Sequence, residues 1–192
     1  MKYLFVAFIV LVGCSQTETT APVTSELPPE IVLLDYDEET GLRRGVLKSG
    51  ETVLEEGDVL KGQRHGTWLT YYPDGKIQTI TSYLNGKKQG PEIQIDNSGY
   101  ITTKSPYVQG NLHGEFKGYT RGRITDRRNY AGGKLHGLKQ RYYPSGTIME
   151  ESYYVNGTID GEARWYNQQG EITIKYTYDN GELVDDGSGS DD

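Results

Sequence analysis

The chain has 192 residues, a formal net charge of -7, 25 Gly, and 16 Tyr against only 3 Phe, and 34% of it is apolar. That length suits one domain or one repeat array rather than a multidomain enzyme, and the low apolar share, against a usual ~45–50% counted with Gly, excludes a thick hydrophobic core. Frequent turns and amphipathic tyrosines, whose rings pack while their hydroxyls stay hydrogen-bonded, point to strands rather than helices.

Residues 1–13 read as a signal peptide: Lys2, an unbroken apolar run from Tyr3 to Val12, then Gly13. The run is too short for a permanent span, which needs about 20 residues. Leu11, Val12, Gly13 and Cys14 resemble the lipobox of bacterial lipoproteins. The resemblance implies that the Cys14 thiol receives diacylglycerol and anchors the mature chain in the cell envelope. Ser15 in place of Asp then favours the outer membrane of a Gram-negative cell. Cys14 is the only cysteine, so no intramolecular disulfide forms. Residues 14–44 are expected to be a lipidated, acidic, Pro- and Thr-rich tether. Between Ser15 and Thr40 there are seven acids and no base, with Pro22, Pro28 and Pro29, although the apolar run Ile31 to Leu34 can open a first strand. Residues 185–192 read as an acidic, disordered tail. From Gly45 to Gly181 there are 17 Lys and Arg against 15 Asp and Glu, a difference of +2, so the acidity sits at the two ends.

The body, residues 45–184, is periodic. Gly62, Gly86, Gly110, Gly133, Gly157 and Gly181 are spaced by 24, 24, 23, 24 and 24 residues, the mark of a repeat array. A second glycine follows four residues after each of the first five, at Gly66, Gly90, Gly114, Gly137 and Gly161. A third follows at Gly75, Gly99, Gly122, Gly146 and Gly170, with Gly122 marking a one-residue deletion. Nine and three residues before each later leading glycine stand Ile77 and Tyr83, Ile101 and Tyr107, Ile124 and Tyr130, Ile148 and Tyr154, and Ile172 and Tyr178. Their even separation predicts one strand with both residues on one face. A second strand is expected after the paired glycines, through Tyr71, Ile95, Tyr119, Tyr142 and Tyr166. Tyr72-Pro73-Asp74-Gly75 and Tyr143-Pro144-Ser145-Gly146 close one end, and Asn85-Gly86, Asn156-Gly157 and Asn180-Gly181 the other. Each unit is thus a β-hairpin. Gly45 to Gly62 is an incomplete starter unit with Val53 and Val59 in the Ile and Tyr positions.

The pattern Y-x-x-G-x-x-x-G-x-x-x-x-Y-Y-x-x-G resembles the MORN repeat, in the bacterial variant common among secreted and lipobox-bearing proteins. The resemblance implies an all-β fold in which five hairpins and a starter unit stack into an elongated, twisted antiparallel sheet with a period of ~24 residues. One hairpin is marginal alone, so its ladders need neighbours. The departures lie in the third unit, shortened between Tyr119 and Gly122, and the second, where Ile95 and Asp96 replace paired tyrosines.

His65, His113 and His136 all precede the second glycine of their units. Equivalent residues two strands apart are separated by about 9.5 Å, too far for a shared metal at ~2.0–2.1 Å, so they read as turn residues with local hydrogen bonds. Glu55 with Glu56, and Glu150 with Glu151, are adjacent on strands and point to opposite faces. No nucleophile–base–orienter set and no phosphate loop stands out, so neither enzymatic activity, metal nor cofactor is expected. Between Lys117 and Arg141 lie eight cations and one acid, Asp126. Arg121, Arg123, Arg127 and Arg128, with Tyr142 and Tyr143 beside them as stacking surfaces, form the candidate binding cluster, and Trp68 and Trp165 are candidate groove residues. The expected function is a membrane-anchored, non-enzymatic binding scaffold for a protein partner or an anionic envelope surface. The alternative is an immunity or antitoxin protein that neutralises a partner toxin. Nucleic acid is not an expected partner of an exported lipoprotein.

Overall fold

The computed structural model describes residues 27–185; residues 1–26, with the expected signal peptide and Cys14, and residues 186–192 lie outside them. The described residues form β1 (Val32–Asp37), β2 (Leu42–Ser49), β3 (Thr52–Leu60), β4 (Gln63–Tyr71), β5 (Ile77–Leu84), β6 (Lys87–Ile95), β7 (Ile101–Val108), β8 (Asn111–Leu112), β9 (Gly114–Thr120), β10 (Arg123–Ala131), β11 (Lys134–Tyr142), β12 (Ile148–Val155), β13 (Thr158–Tyr166), β14 (Ile172–Asp179) and β15 (Glu182–Asp185). They build one 15-stranded open antiparallel sheet in chain order, with the short β8 pairing β7 beside the main path. The sheet starts before residue 45. β1 takes up the apolar run inside the 14–44 stretch, pairing Val32 with Val46 and Leu34 with Arg44, and an Arg43–Asp35 ion pair closes this edge.

Glycine punctuates the sheet in two ways. Asn85 and Gly86, at φ 49° and 78°, make a two-residue turn with both residues left-handed, the geometry that matches strand twist and favours Asn-Gly. Lys61-Gly62, Gln109-Gly110, Asn156-Gly157 and Asn180-Gly181 repeat it. The second glycine has a different task. β6 begins directly after Gly86 and runs through Gly90, where the register with β5 shifts between Thr81 and Tyr83. The expectation that the second strand starts after both glycines is therefore corrected: Gly90, at φ 91°, absorbs a bulge within the strand.

A second bulge overturns the shared Ile–Tyr face. Ile77, Ile101, Ile124, Ile148 and Ile172 pair directly with Tyr71, Ile95, Tyr119, Tyr142 and Tyr166. Gln78, Thr102, Thr125, Met149 and Thr173 are left without a partner in that ladder, and each extra residue breaks the alternation. The isoleucines therefore lie on the face opposite the Tyr83-type ladder, where Ile77 and Ile172 are exposed.

The core is a row on the tyrosine face. Gly57 pairs with Trp68, Trp68 with Thr81, Thr81 with Glu92, and Glu92 with Ser105. Further along, Arg128 pairs with Lys139, Lys139 with Ser152, Ser152 with Ala163, and Ala163 with Tyr176. Trp68, Val59, Thr81, Glu92, Ser105, Ser152 and Ala163 in or beside this row are buried. With no second layer above it among the described residues, the row is covered by cations laid over rings: Arg64 over Trp68 and Tyr83, Lys88 over Tyr107, Arg128 over Phe116, and Lys139 over Tyr154.

Trp68 is the largest buried side chain, at 1% exposure. Its Nε1 donates to the Asp58 carbonyl at 2.8 Å, and its ring fills the space where Gly57 has no Cβ, since an added Cβ would sit 2.3 Å from it. The expected groove role of Trp68 is thus replaced by a packing role. Trp68→Ala should cost about 3–5 kcal/mol, the range for deleting a buried large aromatic. Chemical denaturation of the purified protein measures it, and Trp165→Ala should cost less because Trp165 is only half-buried.

Candidate functional site

The two edges of the sheet are stitched from hairpin to hairpin. On one edge Gly86 N–H donates to the Arg64 carbonyl at 2.9 Å and Gly110 N–H to the Lys88 carbonyl at 2.9 Å; the contact recurs at Gly133, Gly157 and Gly181. Here the histidines act between repeats rather than locally. His113 Nδ1 accepts from Gly132 N–H and His136 Nδ1 from Asn156 N–H, both at 3.4 Å, and Gln89 Oε1 accepts from Gln109 N–H at 3.0 Å in the equivalent slot. The partners lie 19 or 20 residues downstream, which period reading within one unit does not reveal. His65 Nδ1 is buried without a partner. On the other edge, Tyr72 donates its phenol to the Ile95 carbonyl at 3.0 Å and Tyr143 to the Tyr166 carbonyl at 2.8 Å.

The candidate cluster does not form one surface. Arg127 and Arg128, adjacent on β10, face opposite ways. Arg128 lies over Phe116 and pairs with Asp126, whose hydrogen bonds hold its guanidinium above the ordinary arginine range. Arg127 pairs with Glu115 on the other face, which also holds Lys117. Arg121 and Arg123 stand at the sheet edge, where Arg123 Nη1 donates to the Pro144 carbonyl at 2.9 Å. Tyr142 donates to Gln140 Oε1 at 2.7 Å, and the Tyr143 hydroxyl is taken by Tyr166. Trp165 packs edge-on against Tyr176, 5.5 Å between centroids.

What the strands assemble instead is a cationic belt around β9–β12. On the tyrosine face, a groove of about 1190 Å³ is lined by Arg128, Lys134, Lys139 and Arg141 with Tyr130, and by one carboxylate, Asp126. Lys139 and Arg141 both reach Glu150 at 3.4 Å. Arg141 stays half-exposed. On the other face Lys104 pairs with Lys117, and Lys117 with Arg127, so three cations stand in cross-strand register, an arrangement that costs stability. Lys104, Lys134, Lys139 and Arg141 were outside the candidate set. The run of cations marked the last three, but only the register tells which share a face. Asp126 Oδ1 and Ser152 Oγ are buried without hydrogen-bond partners on the groove's face.

The MORN repeat variant matches this chain at residues 64–85, 135–156 and 159–180. The chain carries MORN repeats, and the single sheet of repeated hairpins is their architecture. No curated protein matches it. Among solved structures, TarM is similar at 14% identity and a TM-score of 0.36, over 57% of this chain and 21% of that one. A mutant of S. aureus TarM in complex with fondaparinux, alpha-GlcNAc-glycerol and UDP is similar at 11% identity and a TM-score of 0.29, over 82% of this chain and 22% of that one. The chain thus spans about a fifth of the length of these structures.

The Glu115 pair yields a pH dependence. Burial alone would raise the Glu115 carboxyl, but hydrogen bonding to Lys117 and the nearby charge of Arg127 outweigh it and hold it below the ordinary glutamate range. A depressed carboxylate stabilises the fold above its unfolded value and loses that contribution as pH falls through the folded one. Glu115→Gln should therefore unfold at a lower temperature than wild type near about pH 6, and the gap should close below about pH 4. Thermal melts across pH measure it.

Proposed function

We propose that the chain is a non-enzymatic binding scaffold, held in the cell envelope by a lipidated Cys14, that seats an acidic protein partner on the cationic belt. The observation that carries this reading is the groove on the tyrosine face. Elsewhere along that face the row is closed by Trp68, or by a cation paired one-to-one, as in the Lys88–Glu92 pair. Over β10–β12 four cations line an open groove, and only Asp126 and Glu150, the latter shared by Lys139 and Arg141, stand against them. A partner that brings carboxylates restores the balance, and Tyr130 offers it an amphipathic contact.

The anchor rests on the lipobox-like Leu11-Val12-Gly13-Cys14. Several acyl chains, each worth ~0.8 kcal/mol per buried methylene, hold a folded domain firmly at a membrane surface. The acidic stretch before β1 then separates the sheet from the bilayer, and its charge keeps it off anionic headgroups.

Lys134→Glu with Arg141→Gln removes the two more exposed groove cations without setting a third carboxylate between Asp126 and Glu150, the cross-strand partners of Arg141. The double variant should fold as wild type and lose at least tenfold of its crosslinking to an acidic envelope protein, read by mass spectrometry on intact cells. Equal capture by both proteins rules the groove out, and retention of only anionic lipid would assign the belt to the membrane surface instead. Cys14→Ser should move the protein from the membrane to the soluble fraction, and a variant that stays in the membrane fraction removes the anchor from the proposal.

A further inference from the structure

A recess at the sheet edge is separate from the groove and does not rest on the reading just given. It lies between the β9–β10 and β11–β12 hairpins, has a volume of about 480 Å³, and is walled by Arg121, Arg123, Ile124, Tyr142, Tyr143 and Pro144. Its origin is the shortened third unit. The β4–β5 and β11–β12 hairpins end in five-residue loops, Tyr72 to Lys76 and Tyr143 to Thr147, each closed by a backbone bond of 2.8 or 2.9 Å. From each loop a phenol crosses to a carbonyl of the following hairpin. In β9–β10 the loop shrinks to the two-residue turn Arg121-Gly122 between the paired Thr120 and Arg123. Thr120 stands where β4–β5 and β11–β12 carry the crossing Tyr72 and Tyr143, while Asp96 and Asn167 hold that place in longer loops. No phenol crosses to β11–β12, and the space beside Tyr142 and Tyr143 stays open.

Charge supplies the second, independent observation. Arg43, Arg44, Arg64, Arg127, Arg128, Arg141 and Arg164 each pair with an aspartate or glutamate. Among the described arginines, Arg121 and Arg123 are the two without one, and they line the same recess. No carboxylate lines it. The Pro144 carbonyl fixes Arg123 from one side, while Arg121 is carried on a left-handed turn residue at φ 48°, a conformation that Asn or Gly adopts more readily.

We propose that this recess binds a small anion joined to a planar ring, an aryl phosphate or aryl carboxylate. The anion docks against Arg121 and Arg123, whose planar guanidiniums offer paired donors to carboxylate or phosphate oxygens. The ring occupies the space that a phenol from β9–β10 would fill if it crossed as Tyr72 and Tyr143 do, against Tyr142, Tyr143 and Pro144. The volume falls within the usual ~300–1,000 Å³ of small-ligand sites.

Phenyl phosphate, benzoate and inorganic phosphate are titrated by calorimetry into the full chain in detergent at low salt. Saturable binding of phenyl phosphate or benzoate with Kd of about 1 mM or tighter is expected, with inorganic phosphate at least tenfold weaker. Arg121→Asn removes the guanidinium and places Asn-Gly, the preferred pair, in the turn. It should melt no lower than wild type and bind at least tenfold more weakly, as should Arg123→Gln. Arg43→Gln, in the β1–β2 pair with Asp35 and outside the recess lining, should bind as wild type. Absence of saturable binding to wild type, or wild-type affinity in Arg121→Asn, overturns the site. Inorganic phosphate binding as tightly as phenyl phosphate overturns the ring half of the assignment and with it the proposal. The relative affinity of phenyl phosphate and benzoate identifies which anion the two arginines prefer.

Discussion

Among the described residues the sheet has no second layer and must cover its own faces, and that constraint governs the rest of the array. Most sheets bury one face against helices or another sheet. Here the cover comes from side chains of the same strands, and they have to be long, amphipathic and neutralised. Arg64 shows the solution in full. Its guanidinium stacks on Trp68 and Tyr83 and pairs with Glu55 at 2.8 Å, and both charged side chains are largely shielded from water. Stem and ring contribute apolar burial, while the carboxylate removes the cost of shielding an isolated charge. The same device recurs with Lys88, Glu92 and Tyr107, and again with Lys139, Glu150 and Tyr154. It explains why Tyr is frequent and Phe scarce: a phenol ring presents a stacking surface on a face that also meets water. Burial by this cover raises the Tyr107 phenol to about 12.

The tyrosine face does not cover itself uniformly. At the β3–β5 end the row is apolar, with Val59 at 1% exposure beside Trp68. Toward β10–β12 the same row is occupied by Arg128 and Lys139. An array is stabilised by nearest-neighbour interfaces, so the Trp68 end can carry stability while the middle carries charge. Adjacent like charges in the middle cost the sheet something at each pairing, set against the cover that Arg128 and Lys139 lay over Phe116 and Tyr154.

Much of the architecture was legible in the sequence because glycine spacing records turn positions directly. Asn85-Gly86, Asn156-Gly157 and Asn180-Gly181 marked one edge, and the Tyr-Pro-x-Gly tetrads marked the other. What period reading missed has a common cause. Alternation assigns faces only while the ladder is unbroken, and each strand from β5 onward that carries the Ile position contains an extra residue, such as Gln78 or Met149. That residue sends Ile77 and Ile148 to the face opposite the Tyr83 ladder. His113 and His136 were misread for a related reason: their hydrogen-bond partners are neighbours in space one repeat away. Of the candidate site, the cationic stretch was visible, but its division into a groove, an opposite face and an edge required the register. Trp68 looked like a groove residue because an aromatic beside turns is ambiguous until the neighbouring Gly57 leaves it a socket.

The bonds that make the array are the ones every unit shares: left-handed turns, edge-to-edge backbone bonds, and tyrosines over the row. Features found in one unit alone cannot be explained by the needs of the repeat. Among the five full units the β9–β10 hairpin alone shortens its loop to two residues, takes an arginine into a left-handed turn, and leaves two guanidiniums without carboxylates, and it lacks the phenol that Tyr72 and Tyr143 extend from β4–β5 and β11–β12. Each change weakens the local fold, by a lost hydrogen bond of about 1 kcal/mol or by a disfavoured backbone conformation. The chain holds them together at one point on the edge, beside the densest cations of the sheet. Regularity in this protein is the business of the fold, and the site is best sought where the regularity is given up.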